Sequence, residues 1–242
     1  NSKESIFEIQ YIEDGSNAGV HNDIPWRLIP KCSNNDFLMG ITFSNYAGTS
    51  GGWCVPTEEM IQSYEPGDKR LDASIAVAEG KTDDAEQFTC EEVKTVSDFT
   101  PTTGKNFYYF IRKYYHPPYQ YAGRAGDNFL AENLVAQNRN AEALPYVNEV
   151  RARAGLEPLT SVTAEDVADE MRHELAFENH RWTDLIRTGK AIETMTEFGK
   201  TMKAKYQWIL PSAFEVTGNR LVFAFPLRER QINYLLEQNP GY

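Results

Sequence analysis

The sequence predicts a mainly α-helical protein of tetratricopeptide-like helix pairs, with long loops and a few short β-strands. Long amphipathic helical patterns fill the chain beyond residue 127. Before it, Gly, Pro, Asn and aromatic residues are dense and periodic pieces are short. Strict alternation, the mark of a half-buried strand, occurs only in brief runs. In order, Ser5 to Tyr11 alternates and reads as a strand, and residues 12–52 read as loop. Residues 56–64 form a short helix entered through Pro56, with Met60, Ile61 and Tyr64 on one side, and Pro66-Gly67-Asp68 is a turn. The aromatic run from Phe107 is a strand up to Tyr115, with an irregular loop around Pro117-Pro118.

The second half divides at its caps. Leu130 to Gln137 is the end of one helix, and Asn140 caps its partner, which carries Leu144, Val147, Val150 and Ala154 on one stripe and stops at Gly155. A third helix starts at Thr163, with Asp166 three residues on. It carries Val167, Met171 and Leu175, then Trp182, Leu185 and Ile186, and ends near Thr188-Gly189. Leu221 to Pro226 reads as a short strand and the chain closes in a loop.

Composition narrows the function. The 24 basic and 35 acidic residues among 242 give a net charge of −11, which speaks against coating nucleic acid or a polybasic membrane-surface role. A hydrophobic content of 41% excludes a fully disordered chain, and no stretch approaches the ~18 apolar residues of a membrane span. The opening Asn1-Ser2-Lys3-Glu4 has no initiator Met and no signal-peptide pattern, so the chain is expected to begin mid-protein or after processing. Cys32, Cys54 and Cys90 match no ligand spacing, allow at most one disulfide and are expected to be structural. The four histidines form no i, i+4 pair, and no dinucleotide, Walker A or nucleophile-elbow motif is present. No cofactor, metal or catalytic residue is therefore expected; the Asn/Asp cluster at residues 34–36 lacks EF-hand spacing.

Glu174 and Glu178, one helical turn apart, resemble the carboxylate pair of a glycosidase. Arg172, Arg181 and Arg187 surround them in sequence, and arginine neighbours push carboxylates down, which suits an ion network and not a general acid. Ligand capture asks for other residues. A sugar presents an apolar face and a hydroxyl rim, so a binding surface needs exposed aromatic planes beside short polar groups, on loops. The candidates are Trp26, Tyr46 and Trp53, with Asn45 beside the glycine-rich run, and Tyr119 and Tyr121 beyond the proline break, ranked above Tyr108 and Tyr109.

Three segments in this order resemble the C-terminal region of the SusD/RagB family: Asn148-Glu149-Val150-Arg151-Ala152-Arg153-Ala154-Gly155-Leu156, the run from Glu174 to Gly189, and Phe225-Pro226-Leu227 followed by Gln238-Asn239-Pro240-Gly241-Tyr242. Weaker agreement extends upstream through Glu4 to Ile9, Pro56-Thr57-Glu58 and Gly67-Asp68-Lys69-Arg70. The resemblance implies a SusD-like fold, with residues 1–127 the loop-rich, ligand-facing part and residues 128–242 the helical scaffold. The N-terminal family region and its lipid-bearing cysteine are absent from this chain. It also implies a surface lipoprotein, lipid-anchored at the outer membrane, that captures oligo- or polysaccharide without cutting it and delivers it to a SusC-like TonB-dependent transporter. The alternatives are peptide or other nutrient capture by the same lid mechanism, a glycan-cleaving enzyme, and a helical scaffold that binds only proteins. Two departures stand out: residues before Ala131-Glu132 that the family has are missing, and Met171 stands where the family commonly has Arg.

Overall fold

The computed structural model describes residues 27–34, 37–38, 51–113, 115 and 138–242. The expected strand at residues 5–11, the helix at 130–137, the Pro117-Pro118 loop and most of the 12–52 loop lie outside them. The chain divides into two compact units, Asn1–Phe177 and Glu178–Tyr242.

The first unit holds a three-stranded antiparallel sheet. Its strands β1 (Ile75–Thr82), β2 (Phe88–Lys94) and β3 (Asn106–Ile111) lie in the order β2-β1-β3. The central strand is buried from Ile75 to Gly80, which explains its unbroken small and β-branched run: both faces are covered, so there is no alternation to read. On one face Ala76 and Ala78 pack with Phe88, Cys90 and Phe110 beneath Ile29, Cys32 and Leu38. The segment 27–34 also guards the outer edge of β2. Ser33 N donates to Phe88 O at 2.8 Å, and the Asn34 amide both accepts from Cys90 N at 2.9 Å and donates to Cys90 O at 2.7 Å. These bonds pair backbone groups that an edge strand otherwise leaves open. Of the three cysteines, all free, Cys32 and Cys90 belong to this core, whereas Cys54 is exposed and outside it, contrary to the expectation that all three are structural. Burial pushes the Cys32 thiol up to about 12 and that of Cys90 up to about 11.

Glu79 lies fully buried on the opposite face of β1. It accepts from Lys94 Nζ at 2.6 Å and, at 2.7 and 2.9 Å, from the amide and hydroxyl of Thr102. The Lys94 bond first, then the Thr102 amide, hold its carboxyl down to about 2 from an ordinary 4.5. The unfolded chain therefore binds a proton at a higher pH than the folded one. The stabilisation is complete above 4.5 and lost as pH falls toward about 2. Melting temperatures from pH 6 to pH 2 should fall less steeply for Glu79→Gln than for the wild type; parallel curves would refute this linkage.

Helix α1 (Glu58–Gln62) is capped by the Thr57 hydroxyl, and α2 (Lys69–Ser74) by the Asp68 carboxylate, which accepts Arg70 N at 2.9 Å. Two longer helices, α3 (Asn140–Ala154) and α4 (Ala164–Glu174), pack on each other, whereas the pair read from the sequence joins α3 to the helix at 130–137, outside the described residues. Their shared core is Ala143, Val147, Val162, Val167, Met171 and Leu175, with Leu144 only partly buried at its margin. Asn140 is not the cap of α3 but its first residue: Arg139 takes the cap position, and the Asn140 amide instead donates to Val162 O at 3.0 Å. Gly155 closes α3 with φ of 83°, as expected, and the Asn148 amide pins the connection by pairing with both backbone groups of Leu159. Thr163 and Asp166 form a reciprocal capping box. Thr163→Ala should cost about 1 kcal/mol in chemical denaturation, and an unchanged midpoint would count against a role for the cap.

The third helix does not run on to Thr188. It stops at Glu174, and Phe177 and Asn179 take φ of 67° and 64°. The Lys113 ammonium donates to the Glu174 carbonyl at 2.6 Å and to that of Ala176 at 3.4 Å, satisfying acceptors that the helix leaves at its end. The second unit contains α5 (Arg181–Arg187), α6 (Ala191–Lys205), a 3₁₀ turn at Gly218–Leu221 and α7 (Leu227–Ile232). Helix α6 is an addition to the sequence reading. Gly199 within it faces the Phe214 ring, where an added Cβ would stand 2.7 Å from Phe214 Cβ.

The expected strand at 221–226 does not form; the terminal loop serves its backbone instead. The Gln238 amide pairs with N and O of Phe225 at 2.9 and 3.1 Å, Asn239 Nδ2 donates to Phe223 O at 2.7 Å, and the Tyr242 hydroxyl to Val222 O at 2.9 Å. Side-chain amides here replace a strand neighbour. Among the described residues the fold is thus seven helices and three short antiparallel strands, the predicted mainly α class.

Candidate functional site

Two clusters of chemistry-bearing side chains stand out in the first unit. The first is ionic and knits α2, α3 and α4 together. Arg70 reaches Asp68 at 2.8 Å and Glu170 at 2.5 Å, while Arg151 reaches Glu65 at 2.6 Å and the other Glu170 oxygen at 3.4 Å. Glu174 pairs with Arg153, and Arg70 approaches it at 3.6 Å. The network expected around Glu174 is present, but its partners are Arg153 and Arg70; Arg172 pairs instead with Glu59 at 2.7 Å and Arg187 with Asp184 at 3.0 Å. Nor do Glu174 and Glu178 share a helical face, because α4 ends at the first and the left-handed Phe177 intervenes. Burial pushes the Glu170 carboxyl up while Arg70 and Arg151 pull it down, and the Arg151 hydrogen bond holds Glu65 below the usual carboxylate range. Each Glu170 oxygen meets an arginine, an arrangement suited to joining helices.

The second cluster is an open depression of about 340 Å³, lined by Leu28, Pro30, Lys31, Gly52, Val55, Glu86, Phe88, Tyr108 and Tyr109. Three pieces of chain build it. The segments 27–31 and 51–55 are stapled by Gly52 N to Ile29 O at 2.7 Å and Trp53 N to Arg27 O at 3.1 Å. Their approach requires glycine at 51, where an added Cβ would stand 2.8 Å from Ile29 O. The sheet supplies Phe88 and Tyr108, whose rings meet edge to face with centroids 4.8 Å apart. The β1–β2 hairpin supplies Glu86, positioned by Asp83, whose carboxylate accepts the amides of Ala85 and Gln87, both at 2.9 Å.

Trp53 sits between the lining residues Gly52 and Val55 with 69% of its surface exposed, and the Arg27 guanidinium lies 5.2 Å from its ring centroid. Of the six residues singled out in the sequence, it alone is among those described; Trp26, Asn45, Tyr46, Tyr119 and Tyr121 lie outside them. Tyr108, ranked lower from sequence, is 45% exposed and lines the depression. Tyr109 also borders the depression, but its ring packs with Phe99 and Phe107. Lys31 and Glu86 carried no signal in the sequence, since what distinguishes them is being brought to one place. Among the described residues no group of three or more His, Cys, Asp or Glu is placed to hold a metal, and no helix is long and apolar enough to cross a membrane.

Comparison with known proteins settles the family. The family model for the SusD family matches residues 3–242. The chain belongs to the SusD family. SusD-like protein P38 from Formosa agariphila is 30% identical over 125 residues, 46% of this chain and 22% of that protein. Three solved structures share the fold. Surface glycan-binding protein A from Bacteroides thetaiotaomicron aligns with a TM-score of 0.55 at 18% identity, covering 90% of this chain and 46% of that one. Its namesake from Bacteroides uniformis gives 0.51 at 21% identity over 88% and 46%. A SusD superfamily protein from Bacteroides vulgatus gives 0.53 at 19% over 79% and 45%. This SusD-family chain thus spans less than half the length of the relatives it matches.

Proposed function

We propose that this protein captures an oligo- or polysaccharide at the outer-membrane surface without cleaving it and passes it to a SusC-like TonB-dependent transporter, held to the membrane by an N-terminal lipid. Family membership supports the transporter and the location; the names of the two surface glycan-binding relatives support the ligand class. The observation that carries the reading is a largely exposed Trp53 beside a depression lined by Phe88 and Tyr108, with the polar side chains of Lys31 and Glu86 on its wall. Aromatic planes take the C–H face of a sugar ring, and the polar groups take its rim. At about 340 Å³ the space suits one or two sugar rings of a longer chain. In this reading residues 1–127 face the ligand and 128–242 are scaffold. Trp26, Asn45, Tyr46, Tyr119 and Tyr121 are proposed as further ligand-binding residues.

Affinity electrophoresis against a polysaccharide panel, with the same mixtures assayed for new reducing ends, tests this. Retardation without new ends is expected. Trp53→Ala should weaken retention at least about fivefold through the lost stacking, while stability stays within about 0.5 kcal/mol because the ring is mostly in solvent. New reducing ends would make the protein an enzyme, and absence of retardation across the panel would remove the glycan assignment.

A further inference from the structure

We infer that the depression selects uncharged glycans bearing neighbouring hydroxyls and discriminates against polyanionic ones. The inference rests on the glycan-capture reading above and adds the class of sugar. Lys31 and Glu86 both line the depression beside Phe88 and Tyr108. An ammonium offers three donors and no acceptor; an ionised carboxylate offers acceptors and no donor. A hydroxyl is both. Two neighbouring hydroxyls on a ring lying against the aromatic side chains therefore satisfy both groups, one donating to Glu86 and one accepting from Lys31, each bond strengthened by a full charge.

The carboxylate of a uronate or the sulfate of a sulfate ester, set against this wall in place of a hydroxyl, brings acceptors only. What it gains at Lys31 it loses at Glu86, and the surroundings tilt the balance further. Asp83 and Asp84 stand exposed on the same hairpin as Glu86, and Glu58 acts electrostatically on Tyr109 in the lining. Against them stand Lys31 and the guanidinium of Arg27, which lies over Trp53. The chain as a whole carries a net charge of −11, so a polyanion is repelled at long range before it meets any of these groups. A neutral chain pays neither cost.

The test compares retention of the wild-type chain, Glu86→Gln and Trp53→Ala by a neutral glucan, a polyuronate and a sulfated galactan of similar length, at low and at physiological salt. Wild type should be retained by the neutral glucan at least about tenfold more strongly than by either polyanion, with little dependence on salt. Glu86→Gln should weaken neutral binding severalfold and narrow the discrimination, with an unchanged melting temperature because the hairpin is exposed. If the wild type prefers a polyanion and Trp53→Ala abolishes that retention, capture stands and the neutral-sugar inference is overturned. Equal retention of the neutral glucan by wild type and Glu86→Gln overturns the role of Glu86. No retention of any of the three, with the broad panel also negative, overturns the capture reading and this inference with it.

Discussion

Gly80→Ala should be the most damaging single-atom change in the described sheet, costing more than about 3 kcal/mol or preventing folding altogether. Gly80 is buried in the central strand at a shift of register between Glu79 and Gly80, where β1 faces Cys90 of β2 on one side and Asn106 of β3 on the other. An added Cβ would lie 1.9 Å from Thr89 O, 2.9 Å from Thr89 C and 3.0 Å from Cys90 Cα. All three obstacles are backbone. No rotamer change relieves the clash, so β2 must move away from β1 and lose its ladder there. The same strand carries Glu79, whose bonds to Lys94 and Thr102 span that side of the sheet, and the displacement would strain them too. Urea titration followed by far-ultraviolet circular dichroism reads the loss; a midpoint equal to that of the wild type would show that β2 is not held where the structure places it.

Glu170→Ala should come next, at about 3–5 kcal/mol. The side chains of Glu170, Arg151 and Arg70 are only 5%, 7% and 11% exposed, and the Glu170 carboxylate lies between the two guanidinium groups. Removing it leaves two like charges facing each other with little water to screen them. Arg70 keeps Asp68 and Arg151 keeps Glu65, so the loss falls on the join between α4 and its neighbours and not on the caps. Glu197→Ala provides the contrast: its partner Lys200 lies 2.6 Å away, but both side chains are about two-thirds exposed, and the change should cost under about 0.5 kcal/mol. Equal effects in the two variants would show that burial of the Glu170 network contributes nothing.

Much of the helical half was legible because its signals are local. Thr163 and Asp166 lie one turn apart, and a capping box needs no partner from elsewhere. Gly155 stops α3 because its own φ is positive. Where a partner was distant, the reading failed in an intelligible way. The apolar face from Val167 through Leu175 continues in pattern to Leu185 and Ile186, but Lys113, from the end of the sheet, bonds the carbonyls at the end of α4 and Phe177 turns left-handed. The apolar run at 221–226 reads as a strand, and its backbone partners turned out to be the amides of Gln238 and Asn239. Strand β1 escaped notice because a central strand buried on both faces has no period-2 signature; β2, at the edge, alternates only over Phe88 to Glu91.

The sequence by itself determined the family, the helical class, the stop of α3 at Gly155 and the capping box that starts α4. Each rests on residue order, on composition or on contacts within a turn or two. Only the tertiary structure decided that Asn34 guards the edge of a strand 56 residues away, that Glu174 is held by Arg153 and Arg70, and that Lys31, Glu86, Phe88 and Tyr108 meet around one depression. A cap is recognisable because its donor and acceptor are fixed by helix geometry a few residues apart. A depression assembled from two loop segments, two strands and a hairpin tip has no such spacing; its members are related only through the sheet that carries them.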